Sequence, residues 1–253
     1  FPTSFVPDEY QKGQTKKIYS KEIRKLLKTI IYEDKNILVL NKINGLPVQG
    51  GSKVNFNVDI ALPYLSKGQD NLKLTHRIDK STSGILILAK SKEIAREMTA
   101  LFKKNKVYKT YWALTINSPK DIEGTIKLPL SKILIGRKEK MVVDMKSNKA
   151  AETKYKVLEK KDNFTLLEIN PKTGRTHQIR VHLLHINTPI IGDKKYGLEL
   201  SNRSEKNFIR TNLHLHSKNV SFTLQNKKYN IDAKLPAYFK ETLFKYNFKI
   251  KYE

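Results

Sequence analysis

The 253 residues include 49 Lys and Arg against 24 Asp and Glu, for a formal charge of +25, with 39% hydrophobic residues and no cysteine. That apolar content supports a packed core and excludes wholesale disorder; the missing thiols exclude disulfides, thiolate nucleophiles and cysteine-based zinc sites. So lopsided a charge calls for a polyanionic partner, nucleic acid ahead of an anionic membrane surface, with a lysine-rich composition that merely aids solubility as the plainer alternative.

In chain order, residues 1–29 read as a polar N-terminal linker or extension, with "QKGQTKK" and "KEIRKLLK", running into a short helix. Residues 30–253 read as a single domain of mixed pattern. "NILVLNK" is a buried strand, and "INGLPVQGGSK" after it carries the glycines and proline of a turn and loop. "GILILAK" is a second apolar strand. Ser91 is placed to cap a helix with Glu93 in its first turn and Ile94, Met98, Leu101 and Phe102 along one face. "VYKTYWALTI" reads as a strand, and "ETKYKVLEK", "DN" and "FTLLEINP" read as a hairpin with a tight polar turn. "TGRTHQIRVHLLHI" sets Ile179, Leu183 and Ile186 at helical spacing, and "NLHLHSKNVSFTL" and "KKYNIDAKLP" look like closing strands. Strands outnumber helices and follow in hairpin order, so the expected class is α+β, with a mixed, mainly antiparallel sheet and flanking helices and loops. The longest apolar runs, "ILVL" and "ILIL", are too short to cross a bilayer, so no membrane partner is expected.

Three stretches carry candidate chemistry. Asp79 lies between Arg77 and Lys80, just ahead of a Thr-Ser-Gly turn and a buried strand. Flanking cations suit a carboxylate acting as nucleophile or general base; a loop Asp accepting backbone hydrogen bonds from Ser81 and Thr82 is the structural alternative. "NPKTGRTHQIRVHLLH" crowds Arg175, His177, Arg180, His182 and His185 together. The arginines suit phosphate or a carboxylate partner. The histidine spacings fit a metal poorly, so no metal is expected, and a solvated basic helix face is the bland alternative. In "VYKTYWAL", Lys109 and Tyr111 share one strand face and Tyr108 and Trp112 the other. Such aromatics stack nucleobases or simply fill a core.

Together these stretches resemble the RluA-type pseudouridine synthases. "HRIDKSTSGILILAK" is similar to their catalytic motif H-R-L-D-x-x-T-S-G and the strand after it, and "LVLNKINGLPVQGG" to their first motif, although Ile43 stands where a proline is usual. "KTYWAL" is similar to K-x-Y-x-A, "TGRTHQIRVHLLHINTPIIGDKKYG" to G-R-T-H-Q-[IL]-R-x-H plus G-D-x-x-Y-G, and "LHLHSKNVSF" to a late L-H-A-x-x-L-x-F stretch. The "GGS" loop leans toward the large-subunit ribosomal RNA subgroup. The resemblance implies a pseudouridine synthase fold over 30–253; such enzymes often carry an N-terminal S4-type RNA-binding domain, so either the chain is trimmed or residues 1–29 are the remnant linker after it. It implies a uridine isomerase acting on RNA, ribosomal RNA first, by base flipping and without cofactor. Asp79 would be the catalytic carboxylate, Tyr111 would stack on the target base and assist proton removal, and Arg180 would pair with Asp79. Arg77 would fill the gap left by the flipped base, with His76, Thr82, Lys109, Arg175 and His177 as further substrate contacts. A monomer working in the cytoplasm or an organelle matrix is expected. The rival readings are a transfer-RNA enzyme of the same family, a catalytically idle RNA-binding or ribosome-assembly factor, and a metal-dependent RNA hydrolase, which lacks the paired carboxylates it would need.

Overall fold

The computed structural model describes residues 19–50, 55–66, 71–136, 138–197 and 211–251. Its helices are α1 (Ser20–Leu27), α2 (Val58–Leu65), α3 (Lys92–Lys103), α4 (Gln178–His185) and α5 (Ala237–Lys245). The strands are β1 (Ile30–Glu33), β2 (Ile37–Lys42), β3 (Lys73–Leu74), β4 (Ser83–Ala89), β5 (Tyr108–Ile116), β6 (Glu123–Lys127), β7 (Leu130–Ile135), β8 (Lys138–Val143), β9 (Glu152–Lys161), β10 (Phe164–Pro171), β11 (Leu215–Leu224) and β12 (Lys227–Asp232). Ten of them form one sheet in the order β1-β2-β4-β11-β5-β10-β9-β6, with β12 on β11 and β3 on β4, while β7 and β8 form a separate hairpin. Among the described residues only the β4–β11 pairing is parallel, so the sheet is mixed and mainly antiparallel, as the sequence predicts.

The continuous apolar runs are explained by two-sided burial. Ile37, Val39, Ile85 and Ile87 face a core closed by Ile94 and Met98 of α3. Leu38, Leu40, Leu86 and Leu88 face the opposite core, against Leu26 of α1 and Ala61 and Leu65 of α2. A strand covered on both faces has no polar side to alternate with. Truncating Leu86, fully buried, to alanine should cost about 2–5 kcal/mol.

The second half of the sheet is covered in the same way. Trp112, Leu114 and Leu166 pack on Phe239 and Leu243 of α5, while Ala113, Leu167 and Ile169 pack on Ile179 and Leu183 of α4. The sequence-predicted cap of α3 is present, with Ser91 Oγ accepting from the Ile94 amide at 3.1 Å. The β9–β10 hairpin turns at Asp162, whose φ of 48° is a left-handed conformation that Asp tolerates. Two helices lack the expected signals. α2 contains Pro63 and is apolar nearly all round, and α5 carries little amphipathicity. Of the expected N-terminal extension, residues 1–18 lie outside the described residues, and so do Gly51 and Ser52 of the "GGS" loop.

One glycine matters for the site. Gly84, the second residue of β4, has φ 103°, and a side-chain carbon there would collide with the backbone carbonyl of Ser217, its parallel partner on β11. Only a residue without Cβ lets the two backbones close at this point. The strand following the Asp79 loop is therefore locked against β11 from its first residues.

Candidate active site

A cavity of about 620 Å³ opens at this sheet end, and Asp79, Tyr111, Arg180, His76, Arg77, Thr82, Lys109, Arg175 and His177 all line it. Every site residue expected from sequence thus faces one space.

The Asp79 loop forms one wall, and backbone groups hold it. The Thr82 amide donates to the Asp79 carbonyl at 3.0 Å, so the turn is closed by main chain and not by the carboxylate. The structural alternative for Asp79, a side chain spent on capping Ser81 and Thr82, is not what holds this turn. Upstream, Thr75 Oγ1 donates to the Ile87 carbonyl and His76 Nε2 accepts from the Ile87 amide at 2.9 Å. Two side chains thereby continue the β3–β4 ladder where β3 ends. Burial, with Lys109 nearby, pushes His76 down to about pH 3, so this acceptor stays neutral. From below, the Gly45 amide donates to the Lys80 carbonyl, and Asn44 Nδ2 donates to that of Ser81. Lys42 Nζ, fully buried, donates to the carbonyls of Ile43, Leu46 and Lys80 at 3.0, 2.9 and 3.2 Å. Burial drives its pKa down to about 7, with Asp79 pulling the other way.

The opposite wall is the start of α4. His177 adopts a left-handed φ of 55° at the helix N-cap. Its Nδ1 is 2.7 Å from Tyr196 Oη and its Nε2 3.8 Å from Asp79 Oδ2. Burial lowers His177 to about pH 4 against the pull of Asp79, so at neutral pH a neutral imidazole faces the carboxylate. Arg180 is 6% exposed. Its Nε and Nη2 make a two-pronged pair with Asp193 at 2.8 Å each, and its Nη1 stands 3.5 Å from Asp79 Oδ2. Its guanidinium also lies 4.9 Å from the centre of the Tyr196 ring. Burial opposes the charge on Arg180, but Asp193 and then Asp79 outweigh it and its pKa is raised. The expected Arg180–Asp79 pairing is present, yet it is the longer of two contacts: Arg180 is anchored by Asp193 and turns its remaining nitrogen toward Asp79.

The floor comes from β5. Tyr111 and Lys109 point into the cavity, and Trp112 packs into the core behind. Burial raises the Tyr111 phenol to about 12; hydrogen bonding to Ser217 lowers it and Asp79 raises it further. The phenol therefore keeps its proton at neutral pH. Lys109 is lowered by burial and by Lys172.

Within the histidine and arginine cluster, Arg180 and His182 are buried while Arg175 and His185 are exposed, so only part of it is a solvated basic face. His182 bonds Thr153 Oγ1 and the Leu128 carbonyl, away from His177. Among the described residues no group of three His, Asp or Glu side chains is placed to hold a metal ion, and no helix is long and apolar enough to cross a membrane. The motifs "GDKKYG" and "LVLNK" assign no role to Asp193, Tyr196 or Lys42, whose contacts appear only in the fold. The available signal was a lone charge set directly after an apolar run, "PIIGD" or "ILVLNK", since a charge buried beside a core needs a partner.

A family profile described as RNA pseudouridylate synthase matches residues 36–185. The chain is 40% identical over 212 residues to a Rickettsia bellii protein named ribosomal large subunit pseudouridine synthase C, covering 83% of this chain and 69% of that protein. It is 42% identical over 212 residues to a Buchnera aphidicola protein of the same name, covering 83% and 68%. Among solved structures, human RNA pseudouridylate synthase domain containing 4 superposes with a TM-score of 0.76 at 31% identity, covering 93% of this chain and 97% of that one.

Proposed function

The chain belongs to the RNA pseudouridylate synthase family, and from that premise we propose that it isomerises uridines of large-subunit ribosomal RNA with Asp79 as the catalytic carboxylate. The observation that carries this reading is the Asp79–Arg180–Asp193 chain at the wall of one cavity, with Tyr111 on its floor. The names of the bacterial relatives support the RNA class.

The reaction breaks the bond between N1 of uracil and C1′ of ribose, turns the base, and joins C5 to C1′. C5 loses a proton and N1 gains one, so atoms and electrons balance without oxidant or reductant. A carboxylate serves this chemistry by adding to the substrate or by taking a ribose proton, and either route needs an anion held in place beside a base that has left its stack. Leaving the stack costs a few kcal/mol. Phosphate contacts from a chain of charge +25 offset that cost, and their strength falls steeply with salt. Arg180 steadies the Asp79 anion without neutralising it fully, because Asp193 already takes two of its hydrogen bonds. Tyr111 offers a ring for the uracil, and its phenol accepts a proton only as it passes its own on.

We place the enzyme in the cytoplasm, as a monomer with no metal requirement. The test is release of tritium from 5-tritiated uridine in large-subunit ribosomal RNA with chelator present. Wild type should release label, and Asp79→Asn should bind the RNA but release label about a thousandfold more slowly or worse. Equal release by Asp79→Asn would end the assignment of the carboxylate; release from transfer RNA alone would move the target.

A further inference from the structure

Tyr108 is the aromatic of "VYKTYWAL" that the site above leaves unused. Trp112, four residues along β5, is 8% exposed and packed, whereas Tyr108 is 64% exposed. A large ring left in water at a strand start contributes nothing to the core. It stands at the boundary of two spaces: Lys109, next to it, lines the active-site cavity, and Tyr108 itself lines a neighbouring groove of about 720 Å³.

The cations around it are not random. The β5–β10 register ends at Ile169 opposite Tyr111, and Asn170 Nδ2 extends it by donating to the Lys109 carbonyl and Thr110 Oγ1. Continuing that register sets Lys172 across from Tyr108, and Lys172 Nζ is 5.9 Å from the ring centre. Lys106 and Lys228 line the groove, none of whose lining residues is acidic. Its floor is the stacked, buried pair Phe222 and Tyr229. From Tyr111 to Tyr108 the strand advances about 10 Å and the two rings leave opposite faces, so RNA reaching both would pass round the start of β5, where Lys109 lines one space and Tyr108 the other.

We propose that Tyr108 is a stacking platform for an unpaired nucleobase flanking the target uridine, with Lys172, Lys106 and Lys228 holding phosphates of the same strand. An aromatic face among uncompensated cations matches single-stranded RNA, whose bases stack without sequence preference while the backbone tracks a positive groove. A protein partner would need far more exposed apolar area than one ring. The inference rests on the RNA-modifying reading of the adjoining cavity.

The test uses the full chain. Trp112 is its only tryptophan and is buried, so Tyr108→Trp introduces a single exposed indole. Single-stranded oligouridylate should quench that indole strongly and leave wild-type fluorescence nearly unchanged. Tyr108→Ala should bind the RNA about tenfold more weakly, and Tyr108→Phe should bind within about twofold of wild type. Absence of quenching, equal affinity in Tyr108→Ala, or equal quenching by polyglutamate and by the RNA would each overturn the platform. Wild type failing to release tritium, with quenching and the tenfold loss intact, would remove the catalytic reading and leave the platform standing.

Discussion

The two walls of the cavity are built from opposite materials. The Asp79 loop is held through main-chain groups: the Thr82 amide on the Asp79 carbonyl, the Gly45 amide on the Lys80 carbonyl, and the Lys42 ammonium gathering three carbonyls. The α4 wall is held through charged and aromatic side chains, with Arg180 clamped by Asp193 and set over Tyr196. The difference separates two tasks. A loop fixed by its backbone leaves its carboxylate available to substrate, whereas a helix fixed by ion pairs delivers one guanidinium nitrogen at a set place. Substituting the side chains that support a wall should therefore damage the helix wall more than the loop wall.

Among these supports, the largest effect should come from Asp193→Asn. It leaves Arg180 buried with Asp79 as its remaining carboxylate, and breaking a buried pair costs about 3 kcal/mol or more. Arg180 should then turn toward Asp79 and draw its carboxylate into a tighter pair, lowering kcat at least tenfold while RNA affinity stays near wild type. Single-turnover tritium release beside a filter-binding assay separates the two. Unchanged kcat would mean that Asp193 does no more than hold the fold.

Lys42→Met should do less. It strands three carbonyls, at roughly 1–3 kcal/mol for each left unsatisfied, but it also relieves the burial of a cation, so a net loss of about 2 kcal/mol in denaturant unfolding is expected. A loss as large as that of Asp193→Asn would erase the contrast between the walls.

The two walls should differ least in their pH dependence, to which each contributes a histidine. His76 lies at about 3 and His177 at about 4, against 6.5 for the free side chain. Both folded values are depressed, so below pH 6.5 the unfolded chain binds more protons. Their contribution is complete above that value and is lost as pH falls toward 3–4. Denaturant midpoints should drop from pH 7 to pH 4, and His76→Gln should flatten that limb more than His177→Gln, because His76 is shifted further. The reverse order would place the stronger acid sensitivity on the helix wall.

What could be read from sequence follows the same division. β2, β4 and α3 were legible because burial leaves a local mark: unbroken Ile, Leu and Val in strands covered twice, and apolar spacing behind the Ser91 cap. The β7–β8 hairpin was not, since most of its residues are exposed or half-exposed and repeat no period. α2 was hidden by Pro63, and α5 by an aromatic run without a clean polar face. At the site, the motif residues announced themselves, but their supports did not. Asp193 matters because it meets Arg180 from 13 positions away, and Lys42 because it reaches Lys80 from 38. Contacts of that kind are written in the fold and leave no short pattern. Tyr108 and Trp112 share a strand face, and only the structure separates the exposed ring from the packed one.

The parallel seam at Gly84 has a consequence for biosynthesis. Just beside it, Ser83 Oγ meets His216 Nδ1 at 2.9 Å across 133 positions of chain. A nascent polypeptide that has emerged only through the Asp79 segment lacks the strand that locks it, so this loop cannot settle until β11 leaves the ribosome. Long-range pairing of this kind slows folding and lengthens the exposure of half-made surfaces, so the Asp79 segment waits unpaired until β11 has been made.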